Sequence, residues 1–186
     1  MEVLPGREAA AAGFLAPAVS WIDRIVAYSA AILSMGALVI LFMALMAEVV
    51  VRYFTTKGLG WPAEMPNLLF PWLVMGGIVL AAQRGQHIAV SAGMLMLRRS
   101  YARLLLLAMQ ALIAVTFIYL GQAGIAVIEI TGSDKYPISG ITARWAYLAV
   151  VAGFFGIALT AITTGVRVLL ADDPLSVQAL TPEEDI

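Results

Sequence analysis

The sequence predicts an all-α integral membrane protein with four transmembrane helices and a short interfacial helix between the second and the third. Composition is the first observation: hydrophobic residues make up 62% of the 186 residues and charged residues 12%, far from the balance of a soluble domain. The second is that the apolar residues lie in four long, almost uncharged runs. A helix crosses about 30 Å of hydrocarbon with roughly 20 such residues, so each run is long enough to span a bilayer.

The predicted spans cover residues 25–51, 65–82, 104–130 and 141–171, which form one membrane domain over 25–171. The second span is the shortest and contains Pro71, whose missing N–H should kink the helix. Residues 1–24 are expected to be a cytoplasmic lead-in, although their Ala-rich stretch is also typical of a weak signal peptide. The acidic residues 172–186 are expected to form a solvated cytoplasmic tail.

Two short segments are expected to lie at the membrane surface. Residues 88–97 are apolar but too short to cross, and the pair Arg98-Arg99 follows them. A similar short element is predicted at residues 61–65, where Trp61 suits the headgroup level and Pro62 suits a first helical position.

Orientation is predicted from the distribution of Lys and Arg, which are enriched on the cytoplasmic side of membrane proteins. With the amino terminus inside, seven cations are cytoplasmic, namely Arg7, Arg24, Arg84, Arg98, Arg99, Arg103 and Arg167. Four are then outside, namely Arg52, Lys57, Lys135 and Arg144. This bias predicts that both termini are cytoplasmic.

Composition also excludes several classes of function. The net charge of -1 gives no broad basic surface for nucleic acid, so nucleic acid is not an expected partner. The chain has no cysteine and one histidine, which excludes disulfides, thiolate metal ligands and a bis-histidine haem. Because no nucleophile with a base, no phosphate-binding glycine loop and no carboxylate pair is found, we expect no enzymatic activity, no cofactor and no metal.

Ionisable groups near the membrane spans are the main candidate sites, because each costs free energy in hydrocarbon unless it is paired or hydrated. Glu48 precedes Arg52 by four residues, so the two share a helix face in the favourable order. An ion pair between them is the simpler interpretation. With Trp61 and Glu64, Arg52 is also predicted to form an outer cluster that fixes the first loop, which leaves open whether Arg52 pairs with Glu48 or Glu64.

At the opposite end of the second span, Arg84 and His87 are predicted to cap the helix and to set the interfacial segment. His87 has no second histidine or close carboxylate with which to complete a metal site. A structural or lipid-headgroup contact is therefore expected for it.

Small residues are frequent in the later spans and can let helices approach closely in lipid. They include Gly76, Gly77, Gly121, Gly124, Ala149, Gly153, Gly156 and Thr160. The sequence leaves open whether these residues pack within this bundle or against another subunit. Gln110 and Gln122 are expected to hydrogen-bond to neighbouring helices.

The stretch from Arg52 to Ser91 contains, in this order, Arg52-Tyr53, Trp61, Glu64, Trp72, Gly77, Arg84-Gly85 and His87-Ile88. This combination resembles the DctQ-type small membrane subunit of tripartite ATP-independent periplasmic (TRAP) transporters. The sequence departs from the family pattern at Ala63 and Ser91, where an acid is frequent, and at Val151, where a proline is common.

This resemblance implies a role in a complex at a bacterial or archaeal inner membrane. A periplasmic solute-binding protein would deliver an organic acid to a large membrane subunit, which couples import to a sodium gradient. The small subunit would be a non-catalytic scaffold in contact with lipid and the large subunit. Its structural or partner-interface residues would be Glu48, Arg52, Trp61, Glu64, Trp72, Gly77, Arg84 and His87.

Two other classes of function remain open from the sequence. One is an independent channel or exporter formed by homo-oligomers of the bundle, and the other is a membrane-anchored enzyme or redox subunit. Purification distinguishes them, since a channel would conduct alone in liposomes and a redox subunit would carry a chromophore.

Overall fold

The computed structural model describes residues 6–55, 58–83 and 99–170. Four α-helices account for most of this part of the chain: α1 (Gly6–Phe54), α2 (Met65–Gln83), α3 (Arg99–Thr131) and α4 (Arg144–Leu170). A single 3-10 turn, Trp61–Glu64, precedes α2. All four helices contain a stretch long and apolar enough to cross a membrane, so the protein is a multi-pass membrane protein, and the predicted fold class is confirmed.

The first helix is much longer than a bilayer requires. Its 49 residues correspond to about 73 Å at 1.5 Å per residue, against about 30 Å of hydrocarbon. The helix continues through Pro17, and its most apolar part is Pro17–Phe54. Much of the predicted lead-in, from residue 6 to residue 24, is thus helical and continuous with the first span.

The helices alternate in direction: the carboxyl-terminal ends of α2 and α4 both lie beside Asp23 in the amino-terminal half of α1, and a short loop joins α3 to α4. The fourth helix is the centre of the bundle: α3 packs mainly on α4, and α4 also packs on α2 and less extensively on α1. Half of the most apolar window of α4 is buried, against 17% in each of the other three helices. The outer faces of α1, α2 and α3 are therefore left for lipid or for another protein.

Small residues let the helices approach closely inside this bundle. A Cβ atom at Gly76 of α2 would lie 2.8 Å from the backbone oxygen of Ala30 in α1. Gly153 of α4 leaves no room for a Cβ beside Met75. Between α3 and α4, Gly121 and Gly124 would meet Phe155 and Val151 in the same way, at 2.9 and 2.7 Å. These four glycines thus pack within the chain, which answers the question that the sequence left open for them.

The core forms where α1, α2 and α4 meet. Ala30, Val79 and Ile157 are each at least 93% buried, and side chains from α1, α2 and α3 pack around them. Phe117 of α3 contacts this cluster and lies 5.8 Å, centroid to centroid, from the ring of Phe154. Close packing of apolar side chains from the four helices thus stabilises the bundle.

The four predicted spans correspond to the four observed helices, and α2 runs without interruption through Pro71. A 3-10 turn is found at Trp61–Glu64, where a short element is predicted, with Pro62 in its first residues. The position of this turn at the membrane surface stays a prediction. The predicted interfacial helix at 88–97 and the acidic tail at 172–186 lie outside the described residues.

Candidate functional site

A group of polar side chains joins three helices at one end of the bundle, here called the Asp23 end. Thr163 Oγ1 of α4 donates a hydrogen bond of 2.6 Å to Asp23 Oδ1 of α1, and the guanidinium of Arg167 forms an ion pair with Asp23 Oδ2. Gln83 Nε2, from the last residue of α2, donates to the backbone oxygen of Asp23 at 3.0 Å. One aspartate therefore links the amino-terminal half of α1 to the carboxyl-terminal ends of α2 and α4.

The Asp23 carboxylate lies where it has little contact with water, so it requires a counter-charge. The Asp23 side chain is 15% exposed, and Thr163 is 3% exposed. A carboxylate with so little access to water needs a counter-charge, and Arg167, whose side chain is 42% exposed, supplies it while remaining in reach of the surface. The chemistry of this group is thus suited to fastening helices.

The opposite end of the bundle, here called the Glu64 end, carries two loops that carboxylates hold in place. Glu48, in the last turns of α1, accepts hydrogen bonds at Oε2 from the N–H groups of Leu59 (2.9 Å) and Gly60 (3.3 Å). Gly60 has a φ of +78°, a conformation that favours glycine. The turn that leads into Trp61–Glu64 is therefore set by Glu48 and by a glycine.

Glu64 holds the second loop, which joins α3 to α4. Its two carboxylate oxygens accept hydrogen bonds from the N–H groups of Ile138 (2.9 Å) and Ser139 (2.8 Å), although Glu64 lies more than 70 residues earlier in the chain. Ile138 also lies over Gly60, so the two loops contact each other. Charge-assisted bonds of this kind are shorter and stronger than neutral ones, and here they tie the two halves of the bundle together.

The α3–α4 loop has internal structure of its own. The N–H of Tyr136 donates to the backbone oxygen of Ile141 at 2.9 Å, and the N–H of Ala143 donates to that of Asp134 at 2.8 Å. Burial raises the pKa of the Tyr136 phenol, and the nearby Tyr147 and Glu64 raise it further. Tyr136 is therefore neutral at physiological pH and presents a hydrogen-bonding but uncharged group beside the Glu64 carboxylate.

The pairing predicted for Arg52 requires a correction. Glu48 and Glu64 both bind backbone N–H groups, and Arg52 is exposed and forms no ion pair with either carboxylate in the described part of the chain. The physical reason is that loop N–H groups must find an acceptor, whereas a guanidinium at the end of a span can be solvated by water or headgroups.

The other predicted site residues lie in different places. Trp61 is 39% exposed at the Glu64 end, and Trp72 lines a groove within the span of α2. Gly77 faces outward, and a Cβ there would meet nothing within 4 Å. Arg84 and His87 lie outside the described residues.

Sequence reasoning did not identify the group around Asp23. Asp23 falls in the predicted lead-in, just before the first span, and Arg167 enters only the count of cations. An acid at the start of the first span and a cation at the end of the fourth do lie at the same end of a four-span path, and that pattern could have indicated the pair.

Among the residues that the structure describes, no cluster of three or more possible metal ligands is found. The carboxylates of Asp23, Glu48 and Glu64 bind N–H groups, a hydroxyl and a guanidinium of the same chain. The arrangement is therefore that of a rigid polar frame at both ends of an apolar bundle.

Comparison with protein-family models adds the decisive observation. Residues 41–171 match the model described as "Tripartite ATP-independent periplasmic transporters, DctQ component". The chain belongs to the DctQ family. The match covers the last turns of α1 and all of α2, α3 and α4, so it includes Glu48, Glu64 and Arg167. The DctQ family is a family of transporter components, and the protein is accordingly not an enzyme.

Two relatives were found among curated proteins. A protein of Haemophilus influenzae, provisionally named a TRAP transporter small permease protein, is 25% identical over 70% of this chain and 77% of its own length. An uncharacterized protein of Sinorhizobium fredii, y4mM, is 32% identical over 83% of this chain. The chain spans 27% of the length of y4mM, so the similar region there is part of a longer polypeptide. No solved structure matches.

In this DctQ component, replacing Glu64 by Ala should loosen the α3–α4 loop. The N–H groups of Ile138 and Ser139 would lose their acceptors, so we expect their hydrogen exchange to accelerate about tenfold. Exchange of the peptide over residues 132–143, followed by mass spectrometry in detergent, measures this. Glu129→Ala is the matched control, because Glu129 is an exposed acid at the same end. Equal exchange in both variants would contradict the role given to Glu64.

Proposed function

We propose that this chain is the non-catalytic small membrane subunit of a TRAP transporter that imports an organic acid. A periplasmic solute-binding protein delivers the acid, and the large membrane subunit moves it, driven by the sodium gradient. The small subunit holds the large one in the bilayer. The DctQ family match over residues 41–171 is the observation that carries this proposal.

The structure supports a scaffold more than a transport pathway. The four spans are continuous helices in the described part of the chain, whereas transport sites usually lie at broken helices. The polar groups at both ends bind other parts of the same chain. A rigid frame with wide apolar outer faces suits a subunit that packs beside another membrane protein.

In this proposal both termini are in the cytoplasm, so the Asp23 end faces the cytoplasm and the Glu64 end faces the periplasm. The excess of Lys and Arg on the amino-terminal side favours this orientation. The two loops held by Glu48 and Glu64 would then lie on the side from which the binding protein arrives.

Co-expression with the large subunit of the same transporter tests the proposal. We expect the two chains to purify as one stable complex in detergent. With the binding protein present, proteoliposomes of the complex should take up its organic acid when a sodium gradient is applied. Proteoliposomes with the large subunit alone should take up at most about a tenth as much, because the small subunit that holds the large one in the bilayer is missing.

The control is the small subunit reconstituted alone. If it conducts ions or moves solute without any other chain, the scaffold role is wrong and a homo-oligomeric channel or exporter is the better assignment. Full uptake by the large subunit in the absence of this chain would contradict the proposal from the other side.

A further inference from the structure

We propose that the outer face of α1 at the Asp23 end binds the headgroup of an anionic phospholipid, with the guanidinium of Arg24 contacting its phosphate. The inference goes beyond the proposed function, because it concerns a lipid ligand and depends only on this chain lying in a bilayer. It commits to one occupant, a phospholipid of net negative charge in the leaflet on the Asp23 side of the bundle.

Arg24 directly follows Asp23, but the two side chains lie in different surroundings. Asp23 is turned into the bundle, where Oδ1 accepts the hydrogen bond from Thr163 and Oδ2 pairs with Arg167. Successive residues of an α-helix are about 100° apart around its axis, and Arg24 is exposed. The charge of Asp23 is thus neutralised by α4, and Arg24 carries its positive charge on the outer surface of α1.

Arg24 lies close to the boundary of the hydrocarbon layer. Its neighbour Asp23 contacts Gln83, the last residue of α2, and Arg167, three residues before the end of α4. On α1, Asp23 and Glu48 are 25 positions apart, which corresponds to about 37 Å. That length exceeds the roughly 30 Å of hydrocarbon but not the about 40–45 Å that includes the headgroups. Arg24 is therefore at the level of phospholipid phosphates.

Around Arg24, the outer face of α1 is a continuous stripe of exposed side chains at helical spacing. Trp21 and Tyr28 flank Arg24 on this face, about one turn to either side, and are 66% and 65% exposed. Both residue types are typical of the headgroup level, and Cα–Cβ bonds that tilt toward the amino terminus bring Tyr28 closer to Arg24. Toward the Glu64 end, the stripe continues through apolar residues that are each at least 59% exposed, namely Ile25, Ile32, Met35 and Val39. The stripe thus has polar donors at one end and an apolar surface over about 20 Å.

The size of these residues favours lipid over a neighbouring helix. Interfaces between transmembrane helices are enriched in small residues that let backbones approach closely, as at Gly76 and Gly153 inside this bundle. The stripe on α1 is made of large side chains instead, and flexible acyl chains adapt to the uneven surface between them. We therefore assign the apolar part of the stripe to an acyl chain.

The net charge of this end favours an anionic headgroup. At or beyond the Asp23 end, the described helices carry five cations and two acids, namely Arg7, Arg24, Arg99, Arg103 and Arg167 with Glu8 and Asp23. The described residues at the Glu64 end carry three cations and four acids, namely Arg52, Lys135 and Arg144 with Glu48, Glu64, Glu129 and Asp134. A zwitterionic headgroup carries an ammonium group that offsets its phosphate, so an anionic headgroup is attracted more strongly. A guanidinium also binds phosphate through two parallel hydrogen bonds.

Native mass spectrometry of the full chain in detergent measures the preference for a headgroup. The probes are phosphatidylglycerol and phosphatidylethanolamine with the same acyl chains. We expect the anionic lipid to bind about fivefold more tightly, the effect of one cation near a membrane surface. Arg24→Gln should remove most of this preference, whereas Arg24→Lys should keep it because the charge remains. Lys135→Gln, which removes the same charge from an exposed position at the Glu64 end, is the matched control and should leave the preference unchanged.

Equal binding of the two lipids to the wild-type chain would overturn the inference, as would an unchanged preference in Arg24→Gln. Thermal unfolding in detergent without added lipid should have the same midpoint in the wild type and all three variants, because exposed charges contribute little to stability. A lost preference is then not a loss of folding. Failure of the chain to purify with the large subunit would contradict the proposed function but not the lipid preference of the chain.

Photo-crosslinking in the membrane identifies the occupant with Arg24 intact. With p-benzoylphenylalanine in place of Ile25, in cells that also express the large subunit, we expect phospholipid adducts richer in anionic headgroups than the bulk membrane. The same group in place of Val115, which is 67% exposed on α3, should give adducts with the composition of the bulk membrane. A crosslink from position 25 to the large subunit, or to the acidic residues 172–186 of this chain, would overturn the inference.

Discussion

Replacing Asp23 by Ala should destabilise the isolated bundle by about 2–3 kcal/mol, because it leaves the Arg167 guanidinium without its counter-charge at the membrane boundary. This value is below that of a fully buried pair, since the Arg167 side chain is 42% exposed and partly solvated. Thr163 would also lose its acceptor on Asp23. For a chain of this size we expect the midpoint of thermal unfolding in detergent to fall by about 5–10 °C.

A double-mutant cycle shows whether the loss comes from this pair. If Arg167→Leu is combined with Asp23→Leu, the double variant should be less destabilised than the sum of the two single variants, because no unpaired charge remains. Arg24→Leu is the matched control, since Arg24 is the next residue and is exposed. An unfolding midpoint for Asp23→Ala within 1–2 °C of the Arg24 variant, where 1 kcal/mol corresponds to about 2–4 °C, would contradict the role of the ion pair.

The pair also shows where sequence reasoning reached its limit. Hydropathy predicts which segments cross the membrane, because that property depends on each segment alone. It does not say which spans are neighbours, and Asp23 and Arg167 are 144 positions apart in the chain. Their contact depends on α4 lying against α1, which only the packed structure reveals.

A similar reason explains the result for Arg52. The four-residue spacing places Glu48 and Arg52 on one helix face, but a helix pair of exposed charges contributes only about 0.3–0.5 kcal/mol. Loop N–H groups that must otherwise go without an acceptor compete more strongly for the same carboxylate. The sequence contains no direct sign that Ile138 and Ser139 will lie beside Glu64, because that contact arises from tertiary packing.

The length of α1 depends on helix propensity as well as on hydropathy. The sequence predicted the apolar part of this helix but not its start at Gly6. Alanine has the highest helix propensity, so residues 9–12 favour a helix whether or not they lie in lipid. Hydropathy measures entry into the membrane and therefore does not mark the end of a helix that continues beyond it.

Neighbouring glycines in α2 give a sharper comparison. Gly76 and Gly77 are equivalent in the sequence, and Gly77 is the one that the family resemblance selected. In the structure Gly76 faces α1, where a Cβ would lie 2.8 Å from the Ala30 backbone oxygen and from the Ser34 Cβ, whereas Gly77 faces open space. Close packing inside the chain therefore depends on Gly76, and any role of Gly77 lies outside the bundle.

Gly76→Ala should accordingly destabilise the isolated protein by about 1–3 kcal/mol, because backbone atoms of α1 must move to admit the methyl group. That movement should also weaken the hydrogen bond of 3.1 Å from Ser34 Oγ to the backbone oxygen of Leu73. Gly77→Ala should be neutral or stabilising by up to about 1 kcal/mol, since alanine favours a helix and nothing obstructs it. The measurement is the thermal unfolding midpoint of each variant, purified alone in detergent.

The two glycine variants should also differ in how much complex they form with the large subunit. Gly76→Ala should lower both the stability of the isolated chain and the yield of complex, because a destabilised chain leaves less folded protein to assemble. If Gly77→Ala leaves the isolated chain unchanged but lowers the yield, the outward face of α2 contacts a partner as well. Greater damage to the isolated chain from Gly77→Ala than from Gly76→Ala would contradict the packing described here, because steric crowding against α1 exists only at Gly76.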